Sequence, residues 1–80
     1  MLTMIYTKFN VGDVVYAAET YEVYWASKEP YTVTEVLIKI DDGGQTVTYR
    51  IKQGEIVDTI SERLLFATYE ECTKWCDEHN

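Results

Sequence analysis

The sequence predicts a mainly β domain in which five short strands precede a single C-terminal helix. Apolar residues at positions 47, 49 and 51 alternate with polar ones without interruption, as in a strand with one buried and one solvated face. From residue 68 the apolar spacing becomes helical, and a threonine and a glutamate three residues apart match a capping box. The chain has 80 residues, 46% hydrophobic and 26% charged, so we expect one domain.

The first part of the chain predicts a turn, a strand and a long loop. Gly12 permits a positive φ and Asp13 can bond neighbouring amides, so residues 9–13 should turn into a strand over residues 14–18. Residues 19–30 mix aromatic and acidic side chains in no clean period. We interpret them as a long, irregular hairpin loop.

A change of phase between residues 31 and 40 predicts a β-bulge. Tyr31 and Val33 share one parity, whereas the apolar residues at 36, 38 and 40 have the other. An extra residue near Thr34 and Glu35 would absorb this change, and such bulges bend strands so that a small sheet can curl. Two aspartates and two glycines at 41–44 then predict a tight hairpin.

The last third predicts a short strand, a helical turn, a final strand and the terminal helix. These elements are expected at residues 56–60, 61–63, 64–66 and 68–79. One side of the helix should pack on the sheet, chiefly through the indole at 75, and it carries Cys72, Trp75, Cys76 and His79. The aliphatic side chains expected to meet in the core are Val14, Ile38, Val47 and Leu64.

The order of elements over residues 9–66 resembles a Src-homology-3-like (SH3-like) barrel. The opening Phe-Asn-Val-Gly-Asp-Val-Val-Tyr at 9–16 is similar to the Gly-Asp-x-Val start of Tudor and ribosomal KOW barrels. The ending at 62–71 resembles the tail of small uncharacterised proteins from bacteriophages and other bacterial mobile elements. The resemblance implies a small five-stranded SH3-like barrel with one C-terminal α-helix. Polyproline recognition is not implied, because the Ala-Leu-Tyr-Asp-Tyr segment and the tandem tryptophan of the eukaryotic members are missing.

Charge and hydropathy restrict the classes of partner. Fourteen acidic residues against seven basic ones give a formal charge of −7, which repels phosphate backbones and anionic lipid heads. The sequence contains no apolar run of membrane-spanning length, and residues 1–8 lack the pattern of a secretion signal, so we expect a cytoplasmic protein. Met4 is an alternative start residue.

The aromatic and acidic loop is the predicted partner-binding surface. Aromatic rings edged by carboxylates suit a cationic or amphipathic protein segment. The competing interpretation is that the same rings roof the open end of a small barrel. The residues of this predicted surface are Tyr21, Glu22, Tyr24, Trp25 and Tyr31. The chain would then be a protein-interaction module, with its partner and oligomeric state undetermined.

The acidic excess suggests an alternative function. Many carboxylates on a small body can mimic a nucleic-acid backbone and occupy the basic cleft of a host enzyme. Simple solubility explains the same charge, and the spread of the acids along the chain favours solubility.

We expect neither a metal site nor an enzyme. Cys72, Cys76 and His79 share a helix face and are ligand types that zinc prefers, but a structural zinc site usually has four ligands in paired short spacings. The cysteines are instead expected to be reduced, inward-packed small hydrophobes, with His79 fraying at the terminus. No nucleophile with a base and an orienting acid is evident, and no cofactor motif is present.

Overall fold

The computed structural model describes residues 6–80, which form six strands, a 3-10 turn and one α-helix. Met4 lies outside the described residues. The predicted mainly β chain with one C-terminal helix is confirmed. The strands are β1 (Val14–Tyr21), β2 (Val23–Ala26), β3 (Tyr31–Asp41), β4 (Gly44–Gln53), β5 (Ile56–Ser61) and β6 (Leu65–Phe66), with the 3-10 turn at Glu62–Leu64 and helix α1 at Tyr69–His79.

The strands form one antiparallel sheet in the order β2-β1-β3-β4-β5, with β6 paired to β1. Within residues 6–80 no pairing joins β5 to β2 or β6, so the sheet is open rather than closed into a barrel. Helix α1 packs on β1, β2 and β6. No helix in this part of the chain is long and apolar enough to span a membrane.

The segment interpreted as an irregular loop is largely a regular hairpin. Strand β1 continues to Tyr21, and Glu22 alone links it to β2, so that Glu19 pairs with Trp25. Glu22 makes this reversal in the left-handed region, at φ 66°. The loop interpretation was wrong because the usual glycine or asparagine signal for such a reversal is missing at this position. Only residues 27–30 remain as a connection to β3.

The predicted bulge in β3 is confirmed. The register of β3 against β4 shifts between Val33 and Glu35. This shift places both Val33 and Val36 against the buried face of β4, where Ile51 and Tyr49 are their respective partners. The change of phase in the sequence therefore reports a real extra residue in the ladder.

The main core, defined here as the buried cluster between β1, β3, β4 and β6, differs from the one predicted. Val47 is buried in it as expected. Val14 is 56% exposed and Ile38 is 41% exposed, so their placement in the core was wrong. Strand β1 instead turns Val15 inward, and the Ile38 side chain remains partly exposed although its cross-strand partner Val47 is buried. The fully buried members are Val15, Val33, Tyr49, Ile51 and Leu65.

Helix α1 begins as the capping pattern predicts. The Thr68 hydroxyl accepts a hydrogen bond from the Glu71 amide at 3.2 Å. The helix packs on the face of β1 opposite the main core, through a second cluster whose buried members are Ala18, Cys72 and Cys76. Trp75 is half-buried at the border of this cluster, which confirms that it covers the sheet. Leu64 packs here too, and not at the centre predicted for it.

Candidate functional site

A groove of about 770 Å³ lies between the β1–β2 hairpin and helix α1. The hairpin and the connection at residues 27–30 form one wall, and the helix forms the other. The lining residues that matter for its chemistry are Glu19, Trp25, Ala26, Glu29, Thr73 and Asp77. The groove is therefore bounded by an indole, by a strand edge and by several carboxylates.

The helical wall follows from the spacing of its residues. Tyr69, Thr73 and Asp77 are four residues apart and so lie above one another on one face of α1. The Thr73 hydroxyl oxygen is buried without a hydrogen-bond partner among the described residues. No sequence pattern identifies Thr73 or Asp77 as groove residues, because their role depends on how the helix docks.

The Glu19 carboxylate organises the other wall. One of its oxygens accepts a hydrogen bond from the Trp25 indole N–H at 3.1 Å, and the other accepts one from the Tyr31 hydroxyl at 2.9 Å. Burial, followed by the hydrogen bond to Glu19, raises the pKa of Tyr31 to about 12. Glu19 thus fixes the orientation of an indole that remains 47% exposed beside the groove.

The structure separates the predicted surface residues into different roles. Tyr24 and Trp25 line the groove, and Tyr21 stacks on Trp25 with ring centroids 6.1 Å apart. Glu22 is exposed at the hairpin reversal, away from the groove. Tyr31 is buried and is linked to the site by its hydrogen bond to Glu19.

Tyr24 also has a structural role. Its ring packs edge-on against Trp75, with centroids 4.8 Å apart at 76°. It joins the cluster beneath the helix. Truncating Tyr24 would therefore disturb helix docking as well as the groove. Truncating Trp25 would leave helix docking unchanged, because Trp25 belongs to neither buried cluster.

Asn80 contacts the outer edge of β2. The Tyr24 amide donates to Asn80 Oδ1 at 2.7 Å, and Asn80 Nδ2 donates to the Tyr24 carbonyl at 2.7 Å. No sequence pattern indicates this contact, because it joins residues 56 positions apart.

The three residues considered for metal binding are in different environments. Cys72 and Cys76 are free thiols buried beneath the helix. Burial raises the pKa of Cys72 to about 12 and also raises the pKa of Cys76, which opposes thiolate formation. His79 stacks on Trp75 at 4.0 Å, so the expectation that it frays is wrong. Residues 6–80 contain no group of three potential metal ligands.

The groove is predominantly acidic. Glu19, Glu29 and Asp77 line it, and Lys28 is the cationic side chain on the same wall. An exposed ring beside carboxylates favours a cation that can lie over the ring and pair with the acids. Comparison with known protein families, with curated proteins and with solved structures finds no match for this chain.

Proposed function

We propose that this chain is a non-enzymatic interaction module that binds a basic, extended segment of a partner protein in the groove beside Trp25. The observation that carries the proposal is the exposed indole held by Glu19 in a groove that Glu29 and Asp77 also line. A lysine or arginine side chain can contact the ring face while its charge pairs with the carboxylates. Its aliphatic stem would cover the remaining apolar surface of the groove.

Two features support a binding role over a catalytic one. The sequence contains one histidine, His79, which stacks on Trp75 and contacts the Trp75 carbonyl through its Nδ1 atom at 2.8 Å. The two thiols are buried with raised pKa values and are therefore poor nucleophiles at neutral pH.

The sheet is proposed to be an open variant of the SH3-like barrel. In support, a 3-10 turn at Glu62–Leu64 leads into β6, and β6 returns to pair with β1. The bulge in β3 supplies the bend that such a sheet requires. A phage or mobile-element origin is proposed from the resemblance at residues 62–71.

A random-peptide selection tests the proposed function. Peptides of about ten residues selected on the immobilised chain should be enriched in lysine and arginine. Trp25→Ala should weaken their binding by about tenfold or more, since an interface anchor is lost. Circular dichroism should remain unchanged, because Trp25 is outside both buried clusters.

A matched pair of charge reversals supplies the control. Asp77 lines the groove and its neighbour Glu78 does not. Asp77→Lys should abolish capture of the selected peptides, and Glu78→Lys should change it little. Peptides without basic residues, or equal effects of the two reversals, would contradict the proposal.

The salt dependence of binding distinguishes this proposal from the alternative that the sequence suggests, a nucleic-acid mimic that occupies the basic cleft of an enzyme. Capture by a basic enzyme cleft would depend on the acidic surface as a whole and would weaken steeply with salt. Binding in the groove should instead require Trp25 and weaken less steeply with salt, because the contact with the ring and the apolar burial are not screened.

A further inference from the structure

The outer edge of β2 has backbone groups oriented for a further strand. The Ser27 amide donates to the Ala17 carbonyl at 2.9 Å and the Ala17 amide donates to Ser27 Oγ at 3.0 Å, so the backbone groups of residues 17 and 27 point toward each other. In an antiparallel ladder such pairs alternate with non-bonded ones. Tyr24 and Ala26, paired with Thr20 and Ala18, therefore direct their N–H and C=O groups away from β1.

Asn80 already makes at Tyr24 the two bonds that a neighbouring strand would make. Its side-chain amide accepts from the Tyr24 N–H and donates to the Tyr24 C=O, both at 2.7 Å. A primary amide has the same donor and acceptor pair as a peptide unit. The residue thus occupies one pairing position on an edge that continues to Ala26.

The space beside Ala26 fits one strand better than a second sheet. Ala26 lines the groove, and helix α1 closes its far side through Thr73 and Asp77. Four residues of extended chain span roughly 13 Å at about 3.3 Å per residue, the length of β2 itself. A second copy of this chain would have to bring its own helix into the same space, and its charge of −7 would repel an identical molecule.

We propose that the partner segment binds as an added strand on the outer edge of β2, and that the Asn80 amide competes with it at Tyr24. This inference rests on the proposed function, because it concerns the same groove. The segment is extended, it is basic so that it complements Glu19, Glu29 and Asp77, and its backbone pairs with Ala26. Asn80 therefore weakens binding by holding the neighbouring position.

The test uses the full chain and a short, blocked peptide that alternates lysine with valine. The peptide should slow hydrogen exchange of the Ala26 amide, measured by NMR. A counterpart with N-methylated central amides keeps the side chains and charge but loses the backbone donors, so it should bind at least tenfold more weakly. Asn80→Ala should tighten binding of the first peptide by about fivefold, the equivalent of one net hydrogen bond.

The outcomes separate the two proposals. If neither peptide binds the wild-type chain or Asn80→Ala, the proposed function fails together with the inference. If both peptides bind equally and lose affinity in Trp25→Ala, the groove binds side chains alone and only strand addition is overturned. Weaker binding by Asn80→Ala would overturn the competing role of Asn80. Dimerisation of that variant, measured by sedimentation, would identify a second copy as the occupant and overturn the partner proposed here.

Discussion

The two faces of β1 pack against very different partners. On one face Val15 and Ala17 enter the main core, where large side chains from several strands are fully buried. On the other face Ala18 meets Cys72 and Cys76 of helix α1, and the rings around them are only partly covered. The main core thus consists of fully buried, large side chains. The second cluster, called here the joint beneath the helix, consists of small buried side chains with partly exposed rings around them.

This difference assigns different tasks to the two regions. A deep core of large side chains supplies most of the burial that stabilises a fold of this size. The joint beneath the helix holds α1 close enough to form one wall of the groove, while the edge of β2 at Ala26 still lines the groove. Perturbing the core should therefore unfold the chain, and perturbing the joint should mainly loosen the helix.

The largest effect is expected in the main core. Ile51→Ala should lower the free energy of unfolding by about 3 kcal/mol, the usual cost of emptying a fully buried aliphatic site. Ile51 is 1% exposed, whereas Ile40 on the same sheet is 59% exposed and provides a matched control. Urea titration measures both variants. Similar losses for Ile51→Ala and Ile40→Ala would show that the core is not packed as described.

Tyr49→Phe tests the hydrogen bonds that the Tyr49 hydroxyl makes in the same core. The Tyr49 hydroxyl accepts from the Phe9 amide at 3.1 Å and donates to the Glu62 carboxylate at 2.6 Å. Its removal leaves the buried Phe9 N–H without this partner, so the free energy of unfolding should fall by about 2 kcal/mol. Tyr21→Phe removes an exposed hydroxyl and should be neutral in the same urea titration. If Tyr49→Phe leaves the free energy of unfolding unchanged, water replaces the hydroxyl as the partner of the Phe9 amide.

Alkaline pH should loosen the region between the core and the groove through Tyr31. The pKa of Tyr31 is raised from 10.0 to about 12, chiefly by burial, so its neutral form stabilises the folded chain. That contribution is complete below pH 10 and is lost as pH rises towards 12. Over this window the free energy of unfolding of wild type should fall relative to that of Tyr31→Phe, by on the order of 2 kcal/mol. A constant difference in urea titrations at successive pH values would refute the raised pKa.

The joint beneath the helix should respond more weakly than the core. Cys72→Ala should cost about 1 kcal/mol, because deleting one sulfur leaves a small cavity. The remaining thiol, Cys76, should then react faster with a thiol reagent, since the helix opens more often. Hydrogen exchange of the Tyr49 amide should change less than this labelling rate. Equal changes in the two measurements would mean that helix and core open together.

The features that the sequence predicted correctly are those encoded by neighbouring residues. The bulge near Thr34 and Glu35 and the cap at Thr68 each follow from a few adjacent side chains. The core orientation of β1 does not, because both of its faces are packed and Val14 and Val15 look equivalent in the sequence.

The candidate site was only half predictable for the same reason. Trp25 and Tyr24 were found from their local clustering with acids, and the structure brings both to the groove. Asp77 and Asn80 contribute only because the helix docks against β2, a contact between residues distant in sequence. The single-residue reversal at Glu22 likewise depends on the pairing of the strands that it joins.

The smallest effect should come from a contact that belongs to neither region. Arg50 and Glu35 form an ion pair at 3.3 Å with both side chains 46% exposed. Water screens such a pair and ordering it costs entropy, so Glu35→Gln should change the free energy of unfolding by less than about 0.5 kcal/mol. The measurement is a urea titration at low and high salt, and the small difference should vanish at high salt. A loss as large as that of Cys72→Ala would mean that surface charge contributes as much as the helix joint, and the division of tasks between the two faces of β1 would then fail.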